Sequence, residues 1–169
     1  MTRAQVLSKT SLFRPLSDEQ LDAVMQLGEV KRFEPGEEIF KQGEQAQTIY
    51  VLRDGMVRLR IQAPEELDLM AETLEEPGAV FGMAALSRSH VYNVTAKCIR
   101  STTVFAIDAS GLKEIIKRDP SVGIEVMGEL AQLYSNRLNN TRAAVTNLFR
   151  MFKAQTNKSE LYGVYGEVE

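Results

Sequence analysis

The sequence predicts an α+β fold: a roll or sandwich of six or more short strands, with short helices before it and one long helix after it. Two patterns carry this expectation. Between Val30 and Ile107, short apolar alternations are punctuated by Pro35-Gly36, Gln42-Gly43, Asp54-Gly55 and Pro77-Gly78, the rhythm of strands joined by tight turns. After Pro120, the residues Ile124, Met127, Ala131, Tyr134, Leu138, Thr141, Val145, Leu148 and Phe152 step by alternating threes and fours, which is a heptad seam.

Taken in order, Leu12, Phe13 and Leu16 precede Ser17-Asp18-Glu19-Gln20, where Ser17 and Gln20 have the spacing of a capping box. A short helix through Met25 follows, ending near Leu27-Gly28. Ile49 to Ile61 reads as a hairpin turning at Asp54-Gly55, with Val57, Leu59 and Ile61 facing the core and Arg58 and Arg60 outward. Leu67 to Leu74, Val91 to Cys98 and Thr103 to Ile107 read as further strands. A short helix carrying Leu112, Ile115 and Ile116 on one face then breaks at Asp119-Pro120.

The helix that starts there meets no Gly or Pro after Gly128 and is expected to reach about Lys153. At 1.5 Å per residue that is roughly 50 Å, so part of its seam should meet a second copy. Val126, Leu130 and Leu133 offer a second apolar stripe suited to the chain's own strands. The expected organisation is one domain over 1–153, with strands over about 30–107 and the long helix over about 120–153, followed by a tail over 154–169.

Composition narrows the function classes. The chain has 169 residues, 44% of them hydrophobic and 25% charged, as expected for a globular domain. A net charge of −3 argues against whole-surface attraction to nucleic acid. Cys98 is the only cysteine, so no intrachain disulfide or paired-cysteine zinc site can form. With neither a secretory signal nor a spanning segment, a cytoplasmic location away from the membrane is expected. The single histidine, His90, cannot supply the converging ligands of a metal-dependent β-roll enzyme, and Cys98 reads as a small buried hydrophobe. No nucleophile elbow, Walker loop or dinucleotide fingerprint is present, so no enzyme activity and no cofactor are expected.

Three segments carry a family resemblance: Pro35-Gly36-Glu37-Glu38-Ile39-Phe40-Lys41-Gln42-Gly43-Glu44, then Ile49 to Val57, then Phe81-Gly82 with Ala84-Ala85-Leu86. Over residues 5 to 150 the chain resembles the cyclic-nucleotide-binding domain family, which includes the Crp/Fnr-like sensor domains and the catabolite activator protein. The resemblance implies a jelly-roll-like β-roll, or double-stranded β-helix, with a C-terminal dimerisation helix and a regulatory role in signal transduction. It also implies a phosphate-binding cassette after Phe81-Gly82, whose backbone N–H groups face a cyclic phosphate. In the family a Glu there holds the ribose 2′-hydroxyl and an Arg pairs with the exocyclic oxygens. Here Met83 stands at the Glu position and Tyr92 at the Arg position.

Candidate ligand-binding residues are therefore Phe81, Gly82, Met83, Ala84, Ala85, Arg88, Tyr92, Asn93, Val94, Thr141 and Arg142. Arg88 and Arg142 are the substitutes available for the absent arginine, Arg142 the better placed, and the acidic run Glu65, Glu66, Asp68, Glu72, Glu75, Glu76 would repel a phosphate. Two readings follow. One is a homodimeric sensor whose cyclic nucleotide or other small-molecule ligand shifts the helices; the other is a protein-interaction module whose pocket Met83 and Tyr92 close. A winged helix-turn-helix would need more than the 16 or so residues after Lys153, so DNA binding by that module is not expected. Arg137, Arg142, Arg150, Lys153 and Lys158 make the distal helix basic; the favoured reading is solvent-facing charges flanking the seam, with attraction of an acidic protein partner, or less readily of nucleic acid, as the alternatives.

Overall fold

The structure is a computed structural model that describes residues 10–62 and 68–163. It divides into two compact units, one ending at Leu130 and one starting at Ala131.

A 3-10 turn at Ser11–Phe13 opens the first unit and buries Leu12 and Phe13 completely. Helix α1 (Asp18–Met25) follows, and its capping box forms as the spacing demands. The Ser17 hydroxyl accepts from the Gln20 N–H at 3.3 Å, and Gln20 Oε1 accepts from the Ser17 N–H at 3.1 Å. Gln20 serves a second purpose, because its Nε2 donates to Asp119 Oδ2 at 2.8 Å. One side chain thus starts α1 and ties it to the junction of the two later helices.

Six strands make an antiparallel sheet: β1 (Gly28–Phe33), β2 (Glu38–Phe40), β3 (Thr48–Gln62), β4 (Asp68–Leu74), β5 (Val80–Phe81) and β6 (Thr95–Asp108). The order is β1-β6-β3-β4, with β2 also on β6 and β5 also on β3. Residues of β3 and β6 that face inward form the core; Ile49, Val51, Leu52, Val57, Val104, Phe105 and Ile107 are all essentially inaccessible to solvent.

Asp54-Gly55 does not turn a hairpin. β3 runs straight through it, paired with β6 on both sides, and the register slips around Asp54, Met56 and Val57. A type I′ turn needs positive φ at both central residues, yet only Gly55 has it, at 115°. The glycine marks a bulge that bends a 15-residue strand and curls the sheet into a roll. Its missing side chain matters, since a Cβ there would lie 2.6 Å from the Thr102 Cα.

The two strands expected over Val91–Cys98 and Thr103–Ile107 are likewise one strand, β6, which starts only at Thr95. Arg100 and Ser101, between the two expected strands, are exposed at the bend opposite Gly55, where Arg100 Nη2 donates to the Gly55 carbonyl at 3.2 Å. Val91 makes only an isolated bridge to Gln45. On β3, Val57 and Leu59 are buried as expected, but Ile61 is 40% exposed and Arg58 and Arg60 are half-buried, because the bulges shift the alternation beyond the bend. Leu67, Glu65 and Glu66 lie outside the described residues.

Asp108 caps helix α2 (Ala109–Arg118) by accepting from the Gly111 N–H at 2.7 Å, and α2 buries Leu112. Helix α3 (Pro120–Gly163) starts where Pro120 was expected to start it, and Val122 and Val126 bury fully in the first unit. It continues ten residues past Lys153. The segment read as a tail contains no Gly or Pro before Gly163, so nothing in its backbone chemistry stops the helix. The second unit is this helix from Ala131 on.

Gly55→Ala is expected to lower the unfolding free energy by at least about 2 kcal/mol, through positive φ and a backbone clash together. Urea denaturation with an unchanged midpoint would contradict the bulge described here.

Candidate functional site

The inside of the roll is closed by four aromatic rings from four separate segments. Phe40 comes from β2, Tyr50 from β3, Phe81 from β5 and Tyr92 from the loop before β6. Phe40 stacks on Tyr92 with centroids 3.8 Å apart and on Tyr50 at 5.6 Å, and Tyr50 stacks on Phe81 at 5.3 Å. Phe81-Gly82 turns the chain here with Gly82 at φ 75°, pressed so close to β3 that a Cβ would stand 2.9 Å from the Thr48 carbonyl. A 3-10 turn, Met83–Leu86, follows, and it buries Met83, Ala84 and Ala85.

Tyr92 is held at every polar atom. Its carbonyl accepts from the Gly43 N–H at 2.8 Å and its N–H donates to the Glu44 carbonyl at 3.0 Å. Its hydroxyl donates to the Thr48 carbonyl at 2.8 Å and accepts from the Thr48 N–H at 3.3 Å. With the ring 4% exposed, burial pushes the phenol well above its ordinary range, and the neighbouring Tyr50 adds to the shift. The side chain is therefore a neutral, fully bonded filler at the position where the resemblance implies a cation.

Arg88 and Asn93 are exposed and Val94 is half-buried. Ser87 Oγ donates back to the Ala84 carbonyl at 2.7 Å, closing the short turn on itself. Thr141 and Arg142 belong to the second unit and are exposed, and Thr141 Oγ1 donates to the Arg137 carbonyl of its own helix at 3.0 Å. Of the seam, Ile124, Met127, Ala131, Tyr134, Leu138, Thr141, Val145, Leu148 and Phe152 are all exposed in the single chain, Leu148 to 54% and Phe152 to 64%.

Cys98 is buried, and desolvation pushes its thiol up, away from thiolate chemistry. Among the described residues no group of three or more His, Cys, Asp or Glu could hold a metal, and no helix is long and apolar enough to cross a membrane. A cleft of about 380 Å³ that sequence reading missed opens on the other side of the Met83–Leu86 turn, between His90 and α2. Its residues come from three distant segments with no motif in common, so no local signal announced it.

The family model described as "Cyclic nucleotide-binding domain" matches residues 30–119. Among solved structures, a candidate cyclic nucleotide-binding protein of Geobacter metallireducens GS-15 superposes with a TM-score of 0.71 at 27% identity, covering 82% of this chain and 99% of that one. The catabolite activator protein of Thermus thermophilus gives 0.68 at 25% identity, covering 82% and 63%. A curated protein of Rhodopseudomonas palustris, named as a candidate potassium channel, is 26% identical over 121 residues, 72% of this chain. The chain spans 29% of that relative's length.

Tyr92→Phe removes only the hydroxyl and strands the Thr48 backbone groups, so a loss of about 1–2 kcal/mol is expected, against about 3–5 kcal/mol for Tyr92→Ala. Thermal or urea unfolding measures both; equal stability of Tyr92→Phe and wild type would contradict the bonding described.

Proposed function

As the chain belongs to the cyclic nucleotide-binding domain family, we propose that it is a regulatory module whose roll no longer takes cyclic nucleotide in the usual way and which acts as a homodimer through its long helix. The observation that carries this reading is Tyr92, stacked on Phe40 and bonded to Thr48 at the position of the phosphate-pairing arginine. Met83, at the position that the resemblance gives to the ribose-binding glutamate, is buried as well.

Losing a buried charge-assisted contact costs about 2–5 kcal/mol, and here two are lost together. Taken singly, each loss weakens affinity by roughly 30-fold to several thousand-fold. The exposed Arg88 and Arg142 offer cations, but neither belongs to the stacked group of Phe40, Tyr50, Phe81 and Tyr92. The packed interior favours the closed interaction module over a sensor that opens to a new small molecule inside the roll.

Dimerisation is supported by the exposed seam: Tyr134, Leu138, Val145 and Leu148 leave an apolar stripe of heptad spacing open to water in the single chain. Arg142, Arg150 and Lys153, exposed on the same helix, suit an acidic surface on a protein partner. The family's role is regulatory rather than catalytic. Cys98, alone and buried, suits a reducing cytoplasmic setting.

Calorimetric titration of the size-fractionated protein with cAMP and cGMP tests the reading. A dimer by light scattering, with no saturable heat at micromolar nucleotide, is expected; Leu138→Glu should give a monomer. Saturable micromolar cAMP binding by wild type would overturn the closed interior, and a wild-type monomer at micromolar concentration would overturn the seam.

A further inference from the structure

We propose that the cleft between His90 and α2 is an oxyanion site, taking a small molecule that carries a phosphate or carboxylate group and tying the Met83–Leu86 turn to α2. The cleft measures about 380 Å³, within the range of small-molecule sites, and Gln45, Gln47, Ala85, His90, Ser110 and Lys113 line it. It lies apart from the four aromatic rings and does not depend on what the interior of the roll binds.

Its chemistry is set by two nitrogens. Lys113 Nζ stands 3.2 Å from His90 Nδ1, so the ammonium donates to an imidazole lone pair rather than to a carboxylate. Lys31, Lys41, Arg100 and Lys117 each have a carboxylate partner instead. Asp108 also lines the cleft, but its Oδ2 already accepts from the Ser110 hydroxyl at 2.6 Å and the Gly111 N–H at 2.7 Å, which holds its carboxyl below the usual range and commits it to capping α2. With Nδ1 accepting, the imidazole carries its proton on Nε2 and can donate to a ligand. An oxyanion would complete Lys113, take a second donor from His90 and reach the Gln45 and Gln47 amides, with Ala46, Ala85 and Ala109 as an apolar floor.

The backbone supports the placement. His90 has φ 47°, the only positive value at a non-glycine among the described residues. A side chain pays to sit there and persists only where its surroundings impose it. The Ala46 N–H donates to the His90 carbonyl at 2.7 Å, and the Gln45–Val91 bridge fixes the next residue. A ligand touching His90 and Ala85 on one side and Ser110 and Lys113 on the other would hold the turn and α2 together.

His90 is the only histidine in the chain, so its ring resonances report on the cleft without assignment. In the full-length protein, titration with inorganic phosphate at constant ionic strength is expected to shift them saturably. Lys113→Ala should weaken the midpoint at least tenfold, whereas Arg118→Ala, which removes an exposed cation from the same helix, should leave it unchanged. In His90→Gly, which keeps the left-handed backbone, phosphate should protect against thermal unfolding less than in wild type. Competition by acetate would show that carboxylates share the site, and its absence would restrict the site to phosphates. A linear, unsaturating drift, an unchanged midpoint in Lys113→Ala, or an equal loss in Arg118→Ala would overturn the proposal. cAMP carries a phosphate as well, so its calorimetry is run on both wild type and Lys113→Ala: heat that survives in Lys113→Ala reads the interior, heat that is lost reads the cleft, and failure of either site is seen separately from failure of the other.

Discussion

The phenol of Tyr92 lies flat against Phe40 while its hydroxyl satisfies both backbone polar groups of Thr48. Much of the roll is arranged around that one side chain. The hydroxyl pins the start of β3, at the point where Gly82 must pass so close that no side chain fits between it and the Thr48 carbonyl. The ring closes an aromatic layer to which β2, β3 and β5 each contribute one residue. Tyr92's own backbone is paired with Gly43 and Glu44, so the loop before β6 cannot swing away without breaking bonds at several points at once. A buried polar group with every partner in place is rigid, because leaving any of them unpaired costs more than the bond itself contributes.

That arrangement explains how a scaffold can keep its shape while its chemistry changes. An arginine at this position needs an anion, since a buried cation without one is costly. Tyrosine needs only a backbone amide and carbonyl, which β3 supplies regardless of ligand. Met83, nine residues earlier, is likewise a buried side chain that packs. On the reading proposed above, regulation would act at surfaces outside the roll.

Local chemistry was readable from the residues wherever one short segment decides the outcome. Ser17 with Gln20 announced the first helix and Asp119-Pro120 the start of the last. Asp54-Gly55 misled because the same dipeptide serves a tight turn and a bulge, and only the long-range pairing of β3 with β6 chooses between them. The expected gap between Cys98 and Thr103 failed for the matching reason, since β6 continues through a bend there. Tyr92 was singled out only through the resemblance, and the partners of its hydroxyl lie 44 residues away in sequence and left no local trace. The cleft was invisible, since Gln45, His90 and Lys113 meet only through tertiary structure.

The most direct test of the closed roll is the ionisation of Tyr92 itself. The chain has five tyrosines, and alkaline difference absorbance of wild type minus Tyr92→Phe isolates one of them. An exposed phenol titrates near pH 10. With burial and Tyr50 both opposing the charge, Tyr92 should stay protonated well above that and ionise only as the protein unfolds. Its contribution to stability is then present in full below pH 10 and is lost as pH rises beyond it. A difference signal that titrates reversibly near pH 10 in the folded protein would mean that the ring swings free, and that the site beneath it is open.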